Sequence, residues 1–444
     1  PVEPTLSKPD NNMGDILIAP GARSLSQVDV TGQKAIIENH IDKIVYNAEK
    51  DLSAQGGNAT DVLRKVPLVA VDINGNVSLR GDQNIKVLIN GKPSGAMSNN
   101  LADVLRSFPA DQIKSIEVVT SPSAKYDAEG TGGIINIITK SSNISGVSGG
   151  ISGGVGTRQN NGNANLSIKQ NRLTVGGNFG GNFTWPQQTP TTFHSYNDSL
   201  MSTTDQNTVS RIKRYAYTGS GSLNYDFNNY NNINSNIRFN QGGFKTTGET
   251  MAHIFDPSTD YTYNTDNNTK TVFGGFDWDA GYTHKFKKEG HELSIDGEWS
   301  HSKTTVDYTT LYSAQYPSQL ANNGGINNEY TAQLDYALPV SKAVKFEAGG
   351  KSIFRVISSN SNFFTQNSSG AFAFNPATSN NYDYNQDVYA GYSLFTFTLP
   401  KSWALQTGGR VENTQIDGKS SNVNLGLQPF NNSYTTFIPS LPVS

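Results

Sequence analysis

The chain has 444 residues and carries 34 basic and 37 acidic side chains, for a formal net charge of −3. This balance gives no indication of a polyanionic partner, and the absence of cysteine excludes disulfides and cysteine-ligated metal sites. Charged residues make up only 16% of the chain and aromatic residues 10%, a mixture that favours β-structure over disorder. No apolar run approaches the roughly 18 residues of a membrane-spanning helix.

The first part of the chain, up to about residue 140, mixes helical and strand patterns. Residues 58–65 and 99–106 predict two short helices that begin at asparagines suited to the N-cap. Asn-Gly dipeptides at 74–75 and 90–91 predict tight hairpin turns. Short apolar strands are predicted at 77–79, 86–89, 115–119 and 134–138. These elements predict a small α+β domain of roughly 90 residues.

A glycine cluster, Gly130-Thr131-Gly132-Gly133, leads directly into the apolar run 134–138. Glycine-rich turns beside strands often bind phosphate, but that motif stands between a strand and a helix and needs a Lys-Ser or Lys-Thr pair at a fixed spacing. Here the glycines precede a strand, and no such pair follows at the required place. We therefore interpret the glycines as a tight turn with close backbone approach, which delivers the last strand of the domain to its core.

From about Gly146 onward, apolar and polar residues alternate with a period of two. In 215–227 the odd positions are apolar or glycine, and the same alternation recurs in 272–286, 293–300, 330–336 and 344–348. Each segment therefore predicts a strand with one apolar and one polar face. The charged residues predicted on the inner, polar face are Asp277, Asp279, Asp296, Glu298, Lys345, Glu347, Arg410 and Glu412.

The connections between these strands alternate in length. Short turns are predicted at 170–172, 228–231, 287–290, 339–342 and 400–402, and mostly long polar loops near 185–210, 253–270, 312–327, 362–385 and 417–433. This alternation is typical of a bacterial transmembrane β-barrel. A soluble β-sandwich is the alternative, but its strands run about five or six residues, whereas these exceed the ~9–11 residues that cross a bilayer.

The pattern predicts about eleven full strands and the beginning of a twelfth. About 22 strands are needed for a plugged lumen, so a dozen are too few to enclose the N-terminal domain. Either the domain lies outside a small barrel or much of the barrel lies beyond residue 444, and we favour the second. The expected organisation is an N-terminal extension (1–50), the α+β domain (51–140) and the N-terminal half of a membrane barrel (141–444).

The end of the α+β domain, at 113–127 and 132–140, resembles the end of the plug domain of TonB-dependent outer-membrane receptors. Residues 77–81 (VSLRG) are similar to that family's IRG element, and 87–93 (VLINGKP) to its central IDG hairpin. The sequence style is closest to the Bacteroidetes outer-membrane β-barrel branch. The resemblance implies a membrane all-β fold, an antiparallel barrel of about 22 strands with the plug inside its lumen.

The resemblance also implies energised import through the outer membrane of a Gram-negative bacterium. In the family, a TonB-ExbB-ExbD complex pulls on a short TonB box ahead of the plug, and a bound ligand passes as the plug rearranges. A segment at 25–31 is similar to such a box, although an ordinary linker fits so short a motif equally well. Its matching residues are Gln27, Val28, Asp29, Val30 and Thr31.

Two groups of plug residues are candidates for functional roles. By the resemblance, Arg80 and Glu117 would pair with barrel charges and lock the plug, with simple solvation as the alternative for Glu117. Outward plug loops would contact the ligand through Gly81, Asp82, Gln83, Asn84, Ser94 and Met97. Long barrel loops would add Tyr196, Tyr261, Tyr263, Asn264, Tyr382 and Tyr384.

No grouping of residues predicts catalysis, a cofactor or a metal site. His284 and His291 flank one short turn, a weak metal pattern that is better interpreted as girdle or turn residues. The favoured function is import of a metal chelate, a glycan or a peptide, with outer-membrane lipid as a surrounding partner. The alternative is an interaction scaffold in a surface or secretion complex, partnered by a surface lipoprotein or a secretion component.

Overall fold

The computed structural model describes residues 35–39, 43–51, 53, 57–72, 75–93, 101–102, 104–106, 108–120, 132–140, 146–313, 316–399, 404–422 and 429–441. The chain divides into two units, Pro1–Ala35 and Ile36–Ser444, and the elements given below belong to the second. Among the described residues, no helix combines the length and apolar character needed to span a membrane.

The N-terminal domain is a small α+β fold. It contains α1 (Ala59–Leu63), a helical turn at 101–102 and 104–106, and 3-10 turns at Ala48–Lys50 and Ala110–Gln112. Its strands are β1 (Ile37–Asn39), β2 (Ile44–Tyr46), β3 (Val69–Val71), β4 (Val77–Leu79), β5 (Lys86–Ile89), β6 (Lys92–Pro93), β7 (Ile113–Val119) and β8 (Ile134–Thr139). Six strands form one sheet in the order β1-β2-β7-β8-β5-β6, and β3 pairs with β4. The predicted strands are confirmed, and the sheet begins at Ile37, ahead of the predicted domain boundary at residue 51.

Asparagine and glycine set the ends of these elements. The Asn58 side chain accepts hydrogen bonds from the amides of Thr60 and Asp61, while the Asp61 side chain accepts from the Asn58 amide, which is a capping box at the start of α1. Between β5 and β6, Asn90 and Gly91 have φ angles of +53° and +81°, as a two-residue hairpin turn requires. The capped helix and the second Asn-Gly turn are therefore confirmed.

Gly133 stands at the start of β8 with φ of +115°. A Cβ at this position would lie 2.7 Å from Leu79 Cδ2 and 2.7 Å from the carbonyl oxygen of Val119. The missing side chain thus lets β8 begin directly against β4 and β7. The close approach predicted for the glycine cluster is confirmed at Gly133, whereas Gly130 and Thr131 lie outside the described residues.

The rest of the unit is one large antiparallel sheet in which consecutive strands are neighbours. Its order is β9-β10-β11-β12-β13-β14-β15-β16-β17-β19-β20-β21, with a short β18 paired to β17, giving 13 strands. The strands are β9 (Gly146–Gly154), β10 (Gln159–Gln170), β11 (Leu173–Asn197), β12 (Ser202–Asp226), β13 (Asn231–Asp256), β14 (Thr259–Lys285), β15 (Glu292–Tyr312), β16 (Gln319–Pro339), β17 (Val344–Gln366), β18 (Phe372–Phe374), β19 (Asn380–Thr398), β20 (Ala404–Ser420) and β21 (Phe430–Ser440). Within the described residues, β9 and β21 are the two edges of an open sheet.

The connections confirm four of the five predicted short turns and correct two of the long loops, while the turn predicted at 400–402 lies outside the described residues. Short turns join β10 to β11, β12 to β13, β14 to β15 and β16 to β17. The long loops predicted at 185–210 and 253–270 are wrong, because there the strands continue as hairpin arms paired almost to their tips. Their threonines and aromatic residues suit a pleated strand even where the segment is polar.

The two faces of the large sheet have the inverse polarity of a soluble protein. Trp278 and Tyr282 are 46% and 36% exposed, whereas Asp277 and Asp279 on the opposite face are 5% and 0% exposed. An exposed apolar face and a covered polar face are the arrangement of a membrane barrel. The predicted inner positions of Asp277, Asp279, Arg410 and Glu412 are confirmed by their burial.

Candidate functional site: the inner face of the sheet and its plug

A network of buried charges crosses β13, β14 and β15 on the covered face, which we call the inner face. Arg238 Nη1 lies 3.2 Å from Asp279 Oδ1, and the two side chains are 14% and 0% exposed. Arg238 is also directly opposite Asp277 in register. Ser300 Oγ donates to Asp277 Oδ1 at 2.6 Å, and Asn236 Nδ2 donates to Asp279 Oδ2 at 2.8 Å. One guanidinium and two neutral donors thus contact the two buried carboxylates, and such contacts offset part of the cost of burying charge.

Further along the same face, charges pair across β16, β17 and β19. Arg355 Nε donates to Glu329 Oε2 at 2.8 Å, and its Nη1 donates to Gln386 Oε1 at 2.5 Å. On β20, Arg410 Nε donates to Glu412 Oε2 at 2.9 Å, although both side chains are almost fully buried. The inner face therefore carries a series of buried polar pairs, and some of its buried polar atoms, such as Arg238 Nη2 and Asn327 Oδ1, make no hydrogen bond within the described residues. Such a face suits a lumen occupied by protein or water.

The N-terminal domain packs against this inner face. Phe273 from β14 belongs to the domain's hydrophobic core and is 6% exposed. On β11, a Cβ at Gly180 would lie 3.2 Å from Gln112 Nε2 of the domain. The sheet thus contributes an aromatic side chain to the domain's core. Other buried core residues include Val62, Leu63, Leu105, Ile116, Ile135 and Ile137.

Glu117, predicted to lock the domain to the barrel, has its observed partners within the domain. Lys43 Nζ lies 2.7 Å from Glu117 Oε1, and Asn136 Nδ2 donates to Glu117 Oε2 at 2.9 Å. Asn136 Oδ1 in turn accepts the amide of Gly91 at 2.8 Å. A continuous polar relay therefore connects the residue before β2 with the turn after β5. The barrel-locking role of Glu117 stays a prediction.

The other predicted plug residues lie in exposed turns or outside the described residues. Arg80 is exposed in the turn after β4 with φ of +55°. Residues 81–84 follow it as an exposed loop, in which Asp82 Oδ1 accepts the amide of Asn84 at 2.8 Å. Ser94, Met97 and the box residues 27–31 lie outside the described residues. Their functional roles therefore remain predictions.

Four tyrosines meet where β14 and β15 extend beyond the short-turn half of the sheet. The Tyr261 hydroxyl lies 2.7 Å from the Tyr316 hydroxyl. The Tyr263 ring lies 5.4 Å from that of Tyr316 and 6.1 Å from that of Tyr312. Tyr261 and Tyr263 have the same parity on β14 as Asp277, so this tyrosine cluster belongs to the inner face.

The inner face around the tyrosine cluster is polar, and Asp256 at the end of β13 places a carboxylate near Tyr261. In the outer halves of β14 to β17 the described inward positions carry Thr, Ser, Asn, Gln, Tyr and small or apolar residues, without a charged side chain, over 259–271, 304–312, 319–327 and 357–365. Tyr382 and Tyr384 add a stacked pair with ring centroids 6.4 Å apart. By strand parity, Tyr196 and Asn264, also predicted to contact the ligand, lie on the opposite, outer face.

His284 and His291 pack around one aromatic ring at a short turn. The His291 ring stacks on Phe286 at 3.9 Å, and His284 meets the same ring edge-on at 4.6 Å. His284 Nδ1 lies 2.8 Å from Asn231 Oδ1, and His291 Nε2 lies 2.9 Å from the Tyr336 hydroxyl. Both histidines therefore lie at this short turn, and their place in an aromatic girdle stays a prediction. In the part of the chain that the structure describes, no group of three or more His, Asp or Glu residues is arranged to hold a metal.

Asp51 and Tyr46 form the strongest pKa perturbation in the plug. Hydrogen bonds from Ser53, and then from Tyr46, hold the pKa of the Asp51 carboxyl well below its usual range. Burial and the hydrogen bond to Asp51 raise the pKa of the Tyr46 hydroxyl above its usual range. Lys65 adds an ion pair to Asp51 at 3.2 Å. This cluster fixes the 3-10 turn after β2 to the end of α1.

Sequence reasoning missed the partners of several residues that it identified. Arg238 was not recognised as the counter-charge of Asp277 and Asp279, and Tyr312 and Tyr316 were not joined to the tyrosine cluster. The alternation in the sequence does give the face of each residue. The partner depends on the register between strands, which alternation alone does not specify.

Two family matches cover most of the described chain. Residues 39–134 match the TonB-dependent Receptor Plug Domain, and residues 284–444 match an Outer membrane protein beta-barrel family. The plug match coincides with the domain that packs on the inner face. The barrel match covers β15 to β21 and the turn before β15.

Solved structures of similar fold are outer-membrane receptors. The ferric citrate transporter FecA in its unliganded form aligns with a TM-score of 0.55 and 14% identity, over 91% of this chain and 60% of that one. The chain therefore spans 60% of that transporter's length. The ferric yersiniabactin uptake receptor FyuA from Yersinia pestis aligns over 91% of this chain and 79% of its own at 10% identity and a TM-score of 0.40. The ferric-catecholate import receptor Fiu from E. coli K12 aligns over 90% and 81% at 13% identity and a TM-score of 0.42.

The FecA alignment supports the fold at this level of identity, and the two family matches identify its parts. A plug domain lies against the polar inner face of a sheet whose apolar face is turned outward, as in an outer-membrane protein of a Gram-negative bacterium. The chain thus combines a plug domain of the TonB-dependent receptor type with strands of an outer-membrane β-barrel family, the two parts that make up a TonB-dependent outer-membrane receptor.

Proposed function

We propose that this protein imports a scarce ligand across the outer membrane by an energised rearrangement of its plug. The observation that carries the proposal is the packing of the plug on the inner face, with Phe273 of the sheet inside the plug core. A plug held by such packing blocks passive diffusion, so passage requires work on the plug. Energy would come from a TonB-ExbB-ExbD complex that binds the box at 27–31.

The strand order of the plug supports a mechanism of sequential release. β1 is an edge strand of the plug sheet, and β2 is the only strand between it and β7. Each pairs with its neighbour over three residue pairs. A pull on the chain ahead of β1 therefore loads β1 first and β2 second. Loss of β2 carries Lys43 away from Glu117 and opens the polar relay that ends at Gly91.

The lining of the inner face favours a neutral, polar ligand. Hydroxyl, amide and phenol groups on β14 to β17 line the face around the tyrosine cluster, with the carboxylate of Asp256 beside them. Such groups bind sugars and peptides through stacking and hydrogen bonds. The aligned receptors are named for ferric chelates. The lining of the inner face nevertheless leads us to place a glycan or peptide ahead of an anionic metal chelate as the ligand of the proposed function.

The test is deletion of residues 25–31 in the native host, combined with the variant Tyr263→Ala. Deletion of the box is expected to abolish growth on one glycan or peptide source while ligand binding to the cell surface persists. Tyr263→Ala is expected to weaken surface binding about tenfold, since one stacked aromatic contact contributes about 0.5–1.5 kcal/mol beyond burial. The matched control is Tyr196→Ala, on the outer face. Normal growth after box deletion, with loss of a surface complex, would contradict import and support a scaffold.

A further inference from the structure

Three lysines lie side by side on the outer, apolar face of the sheet. Lys213 on β12 is directly opposite Lys245 on β13, which is directly opposite Lys270 on β14. Opposed residues on neighbouring strands have Cβ atoms about 4.5–5.5 Å apart, so the Cβ atoms of the three lysines lie within about 10 Å of one another. All three are exposed. The row ends at one acidic residue, Asp307 on β15.

Each lysine ends an uncharged stretch of the outer face. On β12 the outward residues from Tyr225 to Tyr215 are aromatic, aliphatic or glycine, and Lys213 is the first charge after them. From the short turns, Lys245 and Lys270 are likewise the first charged outward residues of β13 and β14. Lys303 occupies that place on β15.

The position of the row matches the far edge of a membrane. Lys213 and Tyr225 are twelve residues apart on β12. At about 3.3 Å per residue and a tilt of about 45°, this separation corresponds to a height of about 28 Å. The apolar band of such barrels is about 25 Å tall. The row therefore lies at the interface on the side of the long hairpin arms, which is the outer leaflet.

An apolar groove adjoins the row on the same face. Phe179, Phe183, Tyr217 and Ile151 contribute to its lining, and its volume is about 450 Å³. The Lys213 ammonium lies 5.2 Å from the centroid of the Phe183 ring, so the cationic row and the groove share a side chain. A ligand that has a phosphate and an acyl chain would meet both.

We propose that this face binds a lipid of the outer leaflet whose phosphate groups give it a net negative charge, with its headgroup on Lys213, Lys245 and Lys270 and an acyl chain in the groove. Like charges directly opposite on neighbouring strands repel each other. No described carboxylate forms an ion pair with any of the three ammonium groups. A phosphate placed over the row neutralises them and accepts hydrogen bonds from more than one. The site does not depend on the proposed import.

The test measures lipid binding to the full-length protein in detergent by native mass spectrometry. The probes are lipid A, phosphatidylcholine and inorganic phosphate. Lipid A is expected to bind, and K213Q/K245Q/K270Q is expected to weaken it about 100-fold, since each lysine near an anionic surface contributes about fivefold. The charge-conserving K213R/K245R/K270R is expected to keep binding. The matched control K169Q/K285Q/K287Q removes the same charge near the short turns and is expected to leave binding unchanged.

Three results would overturn the proposal. The first is that the glutamine triple variant and the control variant bind lipid A with equal affinity. The second is that the wild-type protein binds lipid A and phosphatidylcholine with equal affinity. The third is that equimolar inorganic phosphate displaces lipid A. The last would identify a simple phosphate site with no lipid contribution. Unchanged β-sheet circular dichroism of the arginine and glutamine triple variants shows that a loss of binding does not come from misfolding.

Discussion

The close approach at Gly133 makes a sharp prediction for the stability of the plug. Gly133→Ala forces a Cβ to within 2.7 Å of Leu79 Cδ2 and of the Val119 carbonyl oxygen, at φ of +115°. A non-glycine residue in this region of φ costs about 1–3 kcal/mol. Overpacking against a backbone atom that cannot move freely adds about 1–3 kcal/mol. The free energy of unfolding of the plug is therefore expected to fall by about 4 kcal/mol.

Gly91→Ala is the matched control, because it isolates the backbone contribution. Gly91 also has a positive φ, +81°, but a Cβ there would meet nothing within 4 Å. Its substitution is expected to cost only about 1–2 kcal/mol. The two glycines are in the same sheet region, at the start of β8 and after β5.

The assay is pulse proteolysis of the plug in the full chain across a urea series. With a urea slope of about 1–2 kcal/mol per molar for a domain of this size, Gly133→Ala should lower the midpoint by about 2 M or more. Gly91→Ala should lower it by about 1 M. Equal midpoints for the two variants would refute the reasoning, because the clash with Leu79 and Val119 would then carry no cost.

Two further predictions concern charges. Arg238→Gln is expected to destabilise the sheet by about 3–5 kcal/mol, because it leaves Asp277 and Asp279 without their guanidinium. The double variant R238Q/D279N should recover part of this loss, as measured by unfolding monitored through tryptophan fluorescence. A loss below about 1 kcal/mol for Arg238→Gln would contradict the prediction. In the plug, the lowered pKa of Asp51 means that its stabilising effect is complete above about pH 4 and disappears as the pH falls through the folded-state pKa. Calorimetry should therefore find the plug of Asp51→Asn less stable than wild type at pH 7, with a smaller difference at pH 2, and an equal difference at both values would contradict the assignment.

The sequence predicts the fold well where a local signal decides it. Asn58 caps α1 and the Asn90-Gly91 turn joins β5 to β6, because both depend on residues within a few positions of each other. Alternation also assigns Asp277 and Asp279 to the inner face. The long loops at 185–210 and 253–270 are missed because polar composition resembles a loop, whereas pairing with a neighbouring strand is a non-local property.

The candidate site is predicted only in part for the same reason. Tyr261 and Tyr263 are found from composition, but their contacts with Tyr312 and Tyr316 depend on where β15 ends and β16 begins. Glu117 is found by resemblance, whereas its partner Lys43 precedes a three-residue strand too short to predict. The lysine row was not foreseen either, because it exists only once three strands are set in register.

The buried charges of the inner face also specify the register in which neighbouring strands pair. A slip of one residue between strands would turn Arg238 and its aspartates from the lumen to the lipid. For an arginine at the middle of the membrane this costs about 2–4 kcal/mol, and somewhat less for each aspartate. Replacing a buried ion pair by apolar residues often leaves stability unchanged, so pairing alone does not explain such charges. Their effect here is to make any register slip by an odd number of residues unfavourable, which in turn holds the tyrosine cluster inside and the lysine row outside.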